Sequence, residues 1–159
     1  MKYLGYIVSN SHLAPQNDKI ETLLNLAPPS SKKSLRSFFG MASFYQKFIP
    51  KFADLTSPLS DMLKKGTSEP LTWNDDQLKS FNAIRAMLAS KPILRLPDLA
   101  KAFVVRSDAS GVGLGSVLCQ YHDGVPFPVS YASRKLLKSD KILYDRTRVL
   151  EHNLCYLQI

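Results

Sequence analysis

Apolar residues recur at three- and four-residue spacing through most of residues 20–63 and again over residues 78–88, then switch to alternation after residue 103. Helices are therefore expected first and paired strands afterwards, because a helix brings every third or fourth side chain to one face and a strand every second. Tyr3-Leu4-Gly5-Tyr6-Ile7-Val8 is β-prone and short, and is expected to form one strand paired with a segment preceding it. Asp18 is placed to cap a helix carrying Ile20, Leu23 and Leu24, which Pro28-Pro29 ends. Ser30 or Ser31 precedes a stretch in which Leu35, Phe38, Phe39, Ala42, Tyr45 and Phe48 or Ile49 make an aromatic-rich core face. A third helix after Pro50 carries Leu55, Leu59, Met62 and Leu63, with Pro58 expected in its first turn, where a missing N–H is tolerated.

Asn74 with Gln77 three residues on makes a capping box for the clearest helix in the chain, whose apolar positions are Leu78, Phe81, Ile84 and Leu88. Pro92 and Pro97 predict an extended link. Phe103-Val104-Val105-Arg106 is a strand, broken by Ser107-Asp108-Ala109-Ser110-Gly111. A second strand, residues 112–121, sets Gly113 and Gly115 on one face, a packing device that admits a neighbouring backbone. His122-Asp123-Gly124 turns the chain back through Phe127, Val129 and Tyr131. Residues 143–157 have helical spacing. Lys64-Lys65-Gly66-Thr67-Ser68-Glu69-Pro70 forms the joint between two parts, 1–70 and 71–159, since Gly66 suits a helix end and Pro70 cannot continue one.

A 159-residue chain with 45% hydrophobic and 21% charged residues has the composition of a globular domain, which disfavours disorder and coiled coil. Its apolar runs are far shorter than the roughly 20 residues that span a bilayer, and no secretory core follows Met1, so an intracellular product, cytoplasmic or nuclear, without a membrane partner is expected. Cys119 and Cys155 share no metal-ligand spacing and are expected as reduced core thiols.

Charge sharpens the picture. Lys and Arg total 21 against 13 Asp and Glu, a formal +8, and residues 22–53 hold Lys32, Lys33, Arg36, Lys47 and Lys51 without one acid. Such an edge is compatible with tracking a nucleic-acid backbone, since phosphates supply most of the affinity, and equally with a solvated face. Asp108, at the end of a hydrophobic strand, suits a Mg²⁺ ligand for phosphodiester hydrolysis or a turn-capping carboxylate. A second acid must come from the last helix, where Glu151 and Asp145 are available. His12, His122 and His152 are isolated, and no Gly-rich phosphate loop, Ser-His-Asp order or zinc spacing occurs.

The segments Tyr3-Leu4-Gly5-Tyr6-Ile7-Val8, Lys19-Ile20 and Leu35-Arg36-Ser37-Phe38-Phe39-Gly40-Met41-Ala42-Ser43-Phe44-Tyr45-Gln46-Lys47-Phe48-Ile49-Pro50 together resemble the thumb region of gypsy-type LTR retrotransposon reverse transcriptases. Leu55-Thr56-Ser57-Pro58-Leu59, Leu71-Thr72-Trp73, Ser107-Asp108-Ala109-Ser110 and Gly113-Leu114-Gly115-Ser116-Val117-Leu118 continue the resemblance into the RNase H domain. It covers the chain to about Tyr144. The resemblance implies an α+β fold: the palm's last strand and a helical thumb in residues 1–70, then in residues 71–159 an incomplete RNase H-like domain, a three-stranded antiparallel sheet with helices. It implies as partners a template-primer duplex or RNA–DNA hybrid and the rest of a Pol polyprotein, and as family activities RNA-directed DNA synthesis and cleavage of RNA in hybrids.

By the same resemblance Asp108 matches the first of four acids that hold two Mg²⁺ ions. The second belongs in a Tyr-x-x-x-Glu-x-Glu-Leu type segment; strict spacing from Tyr144 puts Leu150 there, and Glu151 meets it with a one-residue slip. No Tyr-x-Asp-Asp polymerase signature occurs. The expectation is a fragment inactive by itself, with Mg²⁺ bound weakly or not at all and a second half of marginal stability. The alternatives are a non-catalytic nucleic-acid-binding module or a decayed element copy.

Overall fold

Local signals account for most of the elements in a computed structural model of the chain, which describes residues 1–90 and 92–137 and the backbone of 157–158. In chain order these are β1 (Lys2–Tyr3), β2 (Tyr6–Val8), β3 (His12–Pro15), α1 (Asn17–Leu24), α2 (Lys32–Phe44), a 3-10 turn (Gln46–Phe48), α3 (Phe52–Asp61), α4 (Asp75–Ala89), β4 (Leu94–Arg95), β5 (Val104–Ala109), β6 (Gly113–His122), β7 (Val125–Lys135) and β8 (Leu157–Gln158). Both sheets are antiparallel, ordered β1-β2-β3-β4 and β7-β6-β5-β8. The fold is α+β, with helices before residue 66 and the expected antiparallel ribbon after residue 103.

Two capping boxes start the longest helices. Ser31 and Ser34 exchange hydrogen bonds at the start of α2, and Asn74 and Gln77 do so at α4, each satisfying N–H groups that a helix start leaves open. The segment expected to join two parts is tied back to α2. Glu69 Oε1 accepts from the Lys32 backbone N–H at 2.7 Å, favourable at a positive helix start, while the Leu71 N–H donates to Ser30 O and the Trp73 indole to Pro29 O. One buried cluster runs across that joint: Leu23, Leu35, Phe38, Ile49 and Leu59 pack with Leu71, Phe81, Ile84, Leu88 and Leu94. Phe38 and Phe81 meet at a ring-centroid distance of 4.7 Å, and the Arg85 guanidinium donates to Leu24 O at the end of α1.

Several expectations need correction. Residues 3–8 are no single strand: Leu4 and Gly5, with φ of 45° and 81°, form a tight turn, and β2 pairs with β1 and with β3 downstream. Gln16 rather than Asp18 precedes α1, because Asp18 already lies in its first turn and accepts from the Gln16 side chain. Pro58 sits well inside α3, and the helix survives because Phe52, Ala53, Thr56 and Leu59 bury one face. The 92–97 link holds β4, which pairs with β3. The strand carrying Asp108 is not broken at residue 107 and continues through Ala109. Phe44, off the core face of α2, is 48% exposed and stacks on Tyr6. Leu157–Gln158 pairs with Val104 and Val105, making the ribbon four-stranded, where helical spacing had suggested a helix through Leu157. The rest of that helix, with Tyr144, Asp145, Glu151, His152 and Cys155, lies outside the described residues. Cys119 is a buried thiol, pushed up in pKa by desolvation. Among the described residues no helix is long and apolar enough to cross a membrane.

Candidate functional site

Strand register builds the site. Asp108 lies opposite Gly115, and Gly115 opposite Ser133, so these three form one row across β5, β6 and β7 on a common face. The start of α3 lies over this row. Lys51, left-handed at φ 51°, precedes the helix and offers it no side-chain cap; the Ala53 N–H donates instead to Ser133 Oγ at 2.8 Å. Lys51 Nζ reaches Asp108 Oδ2 at 2.8 Å.

Glycine makes this approach possible. A Cβ on Gly115 would lie 3.8 Å from Lys51 Cγ, so the lysine stem crosses the one position in the row without a side chain. A Cβ on Gly113 would lie 2.8 Å from Asp54 Oδ1, closer than packed atoms allow, and 3.2 Å from Ala53 Cβ, which would have to give by a few tenths of an ångström. The expected packing role of these glycines is therefore met, and the neighbour is α3. Ser110 Oγ donates to Asp54 Oδ1 at 2.9 Å, and Lys135 Nζ donates to Ser60 Oγ at 2.8 Å and meets Asp61 Oδ1 at 3.2 Å, clamping the far end of α3 to β7.

Ser133→Ala removes the acceptor for a buried helix-start N–H. It is expected to cost about 1–2 kcal/mol in urea unfolding; a midpoint equal to that of the unmodified chain would show that water serves the N–H equally well.

Electrostatics follow geometry. Hydrogen bonding and charge from Lys51 hold the Asp108 carboxyl below the ordinary carboxylate range, and Asp108 in turn raises Lys51. Both side chains are about 60% exposed (61% and 60%), so the pair adds little to stability. The carboxylate edges an open cleft of about 540 Å³ lined by residues 107–109, 114–116 and 132–134.

Mg²⁺ requires several placed oxygens because it gives up its waters reluctantly. Among the described residues no group of three His, Cys, Asp or Glu could hold a metal ion, and Asp108 already faces an ammonium. These residues do not fit the ion. Glu151 lies outside the described residues.

The five basic residues separate by surroundings. Lys33 and Arg36 are exposed on α2. Lys32 Nζ donates to Lys64 O at 3.2 Å, which ties it to the joint. Lys47 Nζ sits 3.8 Å from the Tyr6 ring centroid, its pKa lowered by desolvation, so this ammonium is occupied by an aromatic face. Lys51 is the partner of Asp108. Ser133, Lys135, Ser110 and Asp54, which join α3 to the sheet, escaped the sequence reading; the glycine spacing marked a close approach without naming what approaches.

Residues 73–150 match the RNase H-like domain found in reverse transcriptase. The Transposon Tf2-3 and Tf2-4 polyproteins of Schizosaccharomyces pombe are each 35% identical to the chain over 166 residues, covering 99% of it; the chain spans 12% of the length of these relatives. A structure of the foamy viral protease-reverse transcriptase in complex with an RNA/DNA hybrid is similar in fold, with TM-score 0.72 and 20% identity over 94% of this chain and 21% of that one.

Proposed function

Because residues 73–150 belong to the RNase H-like domain family found in reverse transcriptases, and the chain as a whole aligns with part of a retrotransposon polyprotein, we propose that it holds a nucleic-acid duplex without cutting it. In this reading residues 1–70 are the end of the palm and the thumb, and residues 71–159 are the RNase H-like part. Polymerisation and hybrid cleavage belong to the complete polyprotein. The observation that carries the reading is the commitment of Asp108 to Lys51, with no three-ligand group among the described residues, beside two exposed cations on α2.

Lys33 and Arg36 are one helical turn apart and face solvent, which suits two phosphates of one backbone. Lys32, Lys47 and Lys51 are engaged within the chain and contribute at most to the general positive field. An RNA–DNA hybrid is the duplex to try first, since the foamy viral relative was solved with one.

Fluorescence anisotropy of a labelled hybrid against salt tests this. Two phosphate contacts are expected to give a slope of about −2 in log K against log[salt], and Lys33→Ala with Arg36→Ala to bring it close to zero. Salt-independent binding would overturn the reading. So would hybrid cleavage in Mg²⁺ that Asp108→Asn abolishes, which would mark a nuclease.

A further inference from the structure

The carboxylate that family resemblance assigns to a metal is met here by a cation from the same chain. Asp108 is the last residue but one of β5, and its cross-strand neighbour is a glycine. Through the gap this leaves, the methylene stem of Lys51 passes over Gly115, and its ammonium ends 2.8 Å from Asp108 Oδ2. A surface lysine would ordinarily sample many rotamers, at an entropic cost that cancels most of such a contact. Lys51 is rooted more firmly. Its backbone is left-handed at φ 51°, the next residue but one is fixed to Ser133 by a 2.8 Å hydrogen bond, and Ser133 belongs to the same row as Asp108. Asp54, two positions into α3's first turn, adds a second negative charge that favours the ammonium.

We propose that Lys51 is the resident counter-ion of Asp108: an ammonium borne by the residue just before α3 that occupies the place where a divalent cation would bind, so that the metal affinity of this carboxylate is governed by Lys51. The idea goes beyond the duplex-holding reading and stands whether or not the chain grips nucleic acid, because it concerns metal alone. A divalent ion reaching Asp108 must displace the ammonium, which forfeits its pairing with the carboxylate, or share the carboxylate with it, which brings two cations to close range.

Manganese titrated into the ¹⁵N-labelled full chain tests this, read from paramagnetic broadening of the Asp108, Ala109 and Gly115 amides. Lys51→Gly deletes the cation and suits the left-handed backbone, so it does not threaten the fold. It is expected to show the same local broadening at about one tenth the Mn²⁺ concentration needed by the unmodified chain. Adding Asp108→Asn to Lys51→Gly should abolish the gain, and Lys51→Arg, which keeps the charge, should behave as the unmodified chain does. Equal sensitivity of Lys51→Gly and the unmodified chain would overturn the proposal, as would a gain that survives Asp108→Asn. Failure of hybrid binding, measured separately by anisotropy, would leave these outcomes unchanged.

Discussion

Phe81→Ala is expected to lower the stability of the whole chain by about 3–5 kcal/mol, the usual range for deleting a fully buried aromatic ring. The loss should be felt on both sides of the joint at residues 64–70. Phe81 is completely buried on α4, 4.7 Å by ring centroid from Phe38 on α2 and 5.5 Å from Trp73. It therefore fills a space bounded by both halves of the sequence, and its removal opens one cavity that neither half can close alone. Urea unfolding followed in parallel by Trp73 fluorescence and far-ultraviolet circular dichroism gives the measurement. Coincident transitions that move together in the variant are the expected result. Two separate transitions, with the helical signal of residues 1–63 unaffected by the substitution, would show that the shared cluster does not couple the halves.

The second large effect is expected at Gly113. Gly113→Val places a branched side chain where even a Cβ alone would lie 2.8 Å from Asp54 Oδ1 and 3.2 Å from Ala53 Cβ and from Arg134 O. The Asp54 carboxylate can swing aside, but the helix methyl and the strand carbonyl belong to packed backbone. Either α3 lifts from β6 or the strands separate, and a cost of about 2–3 kcal/mol is expected from such overpacking. Valine has the higher strand propensity, so a propensity argument alone would expect the opposite sign. Gly111→Ala is the control: nothing lies within 4 Å of its Cβ position, and a near-neutral midpoint is expected there. Should Gly113→Val unfold at the same denaturant concentration as Gly111→Ala, the docking of α3 on the sheet would contribute little to the fold.

Legibility followed the range of the interaction. The Asn74-Gln77 box and the start of α2 at Ser31 are contacts within four residues, so residue type and spacing reveal them directly. The His122-Asp123-Gly124 turn is equally local, and Asp123 and Gly124 do adopt positive φ of 53° and 78°. The Leu4-Gly5 turn was hidden because leucine rarely accepts a left-handed backbone; here the Gly5 carbonyl accepts from the Tyr45 hydroxyl and the Gln16 N–H, contacts made from distant segments. Pro58 misled for a related reason: propensity places proline in a first turn, while burial of Phe52, Ala53 and Leu59 extends α3 around it.

By itself the sequence determined helices α2 and α4 with their caps, the succession of β5, β6 and β7, the burial of Phe38, Phe81, Ile84 and Leu88, the closely approached face of β6, and the family resemblance that singled out Asp108. Each of these rests on periodicity, on chemistry within a few residues, or on motif order. Only the tertiary structure decided which cation stands beside Asp108, which helix lies against Gly113 and Gly115, and which of the five basic side chains remain open to a phosphate. The first two depend on how α3 is clamped between Ser133 and Lys135, and the third on the contacts of Lys32 with Lys64 O, Lys47 with the Tyr6 ring and Lys51 with Asp108, all pairings of groups far apart in the chain that are selected by shape and charge after the elements have formed.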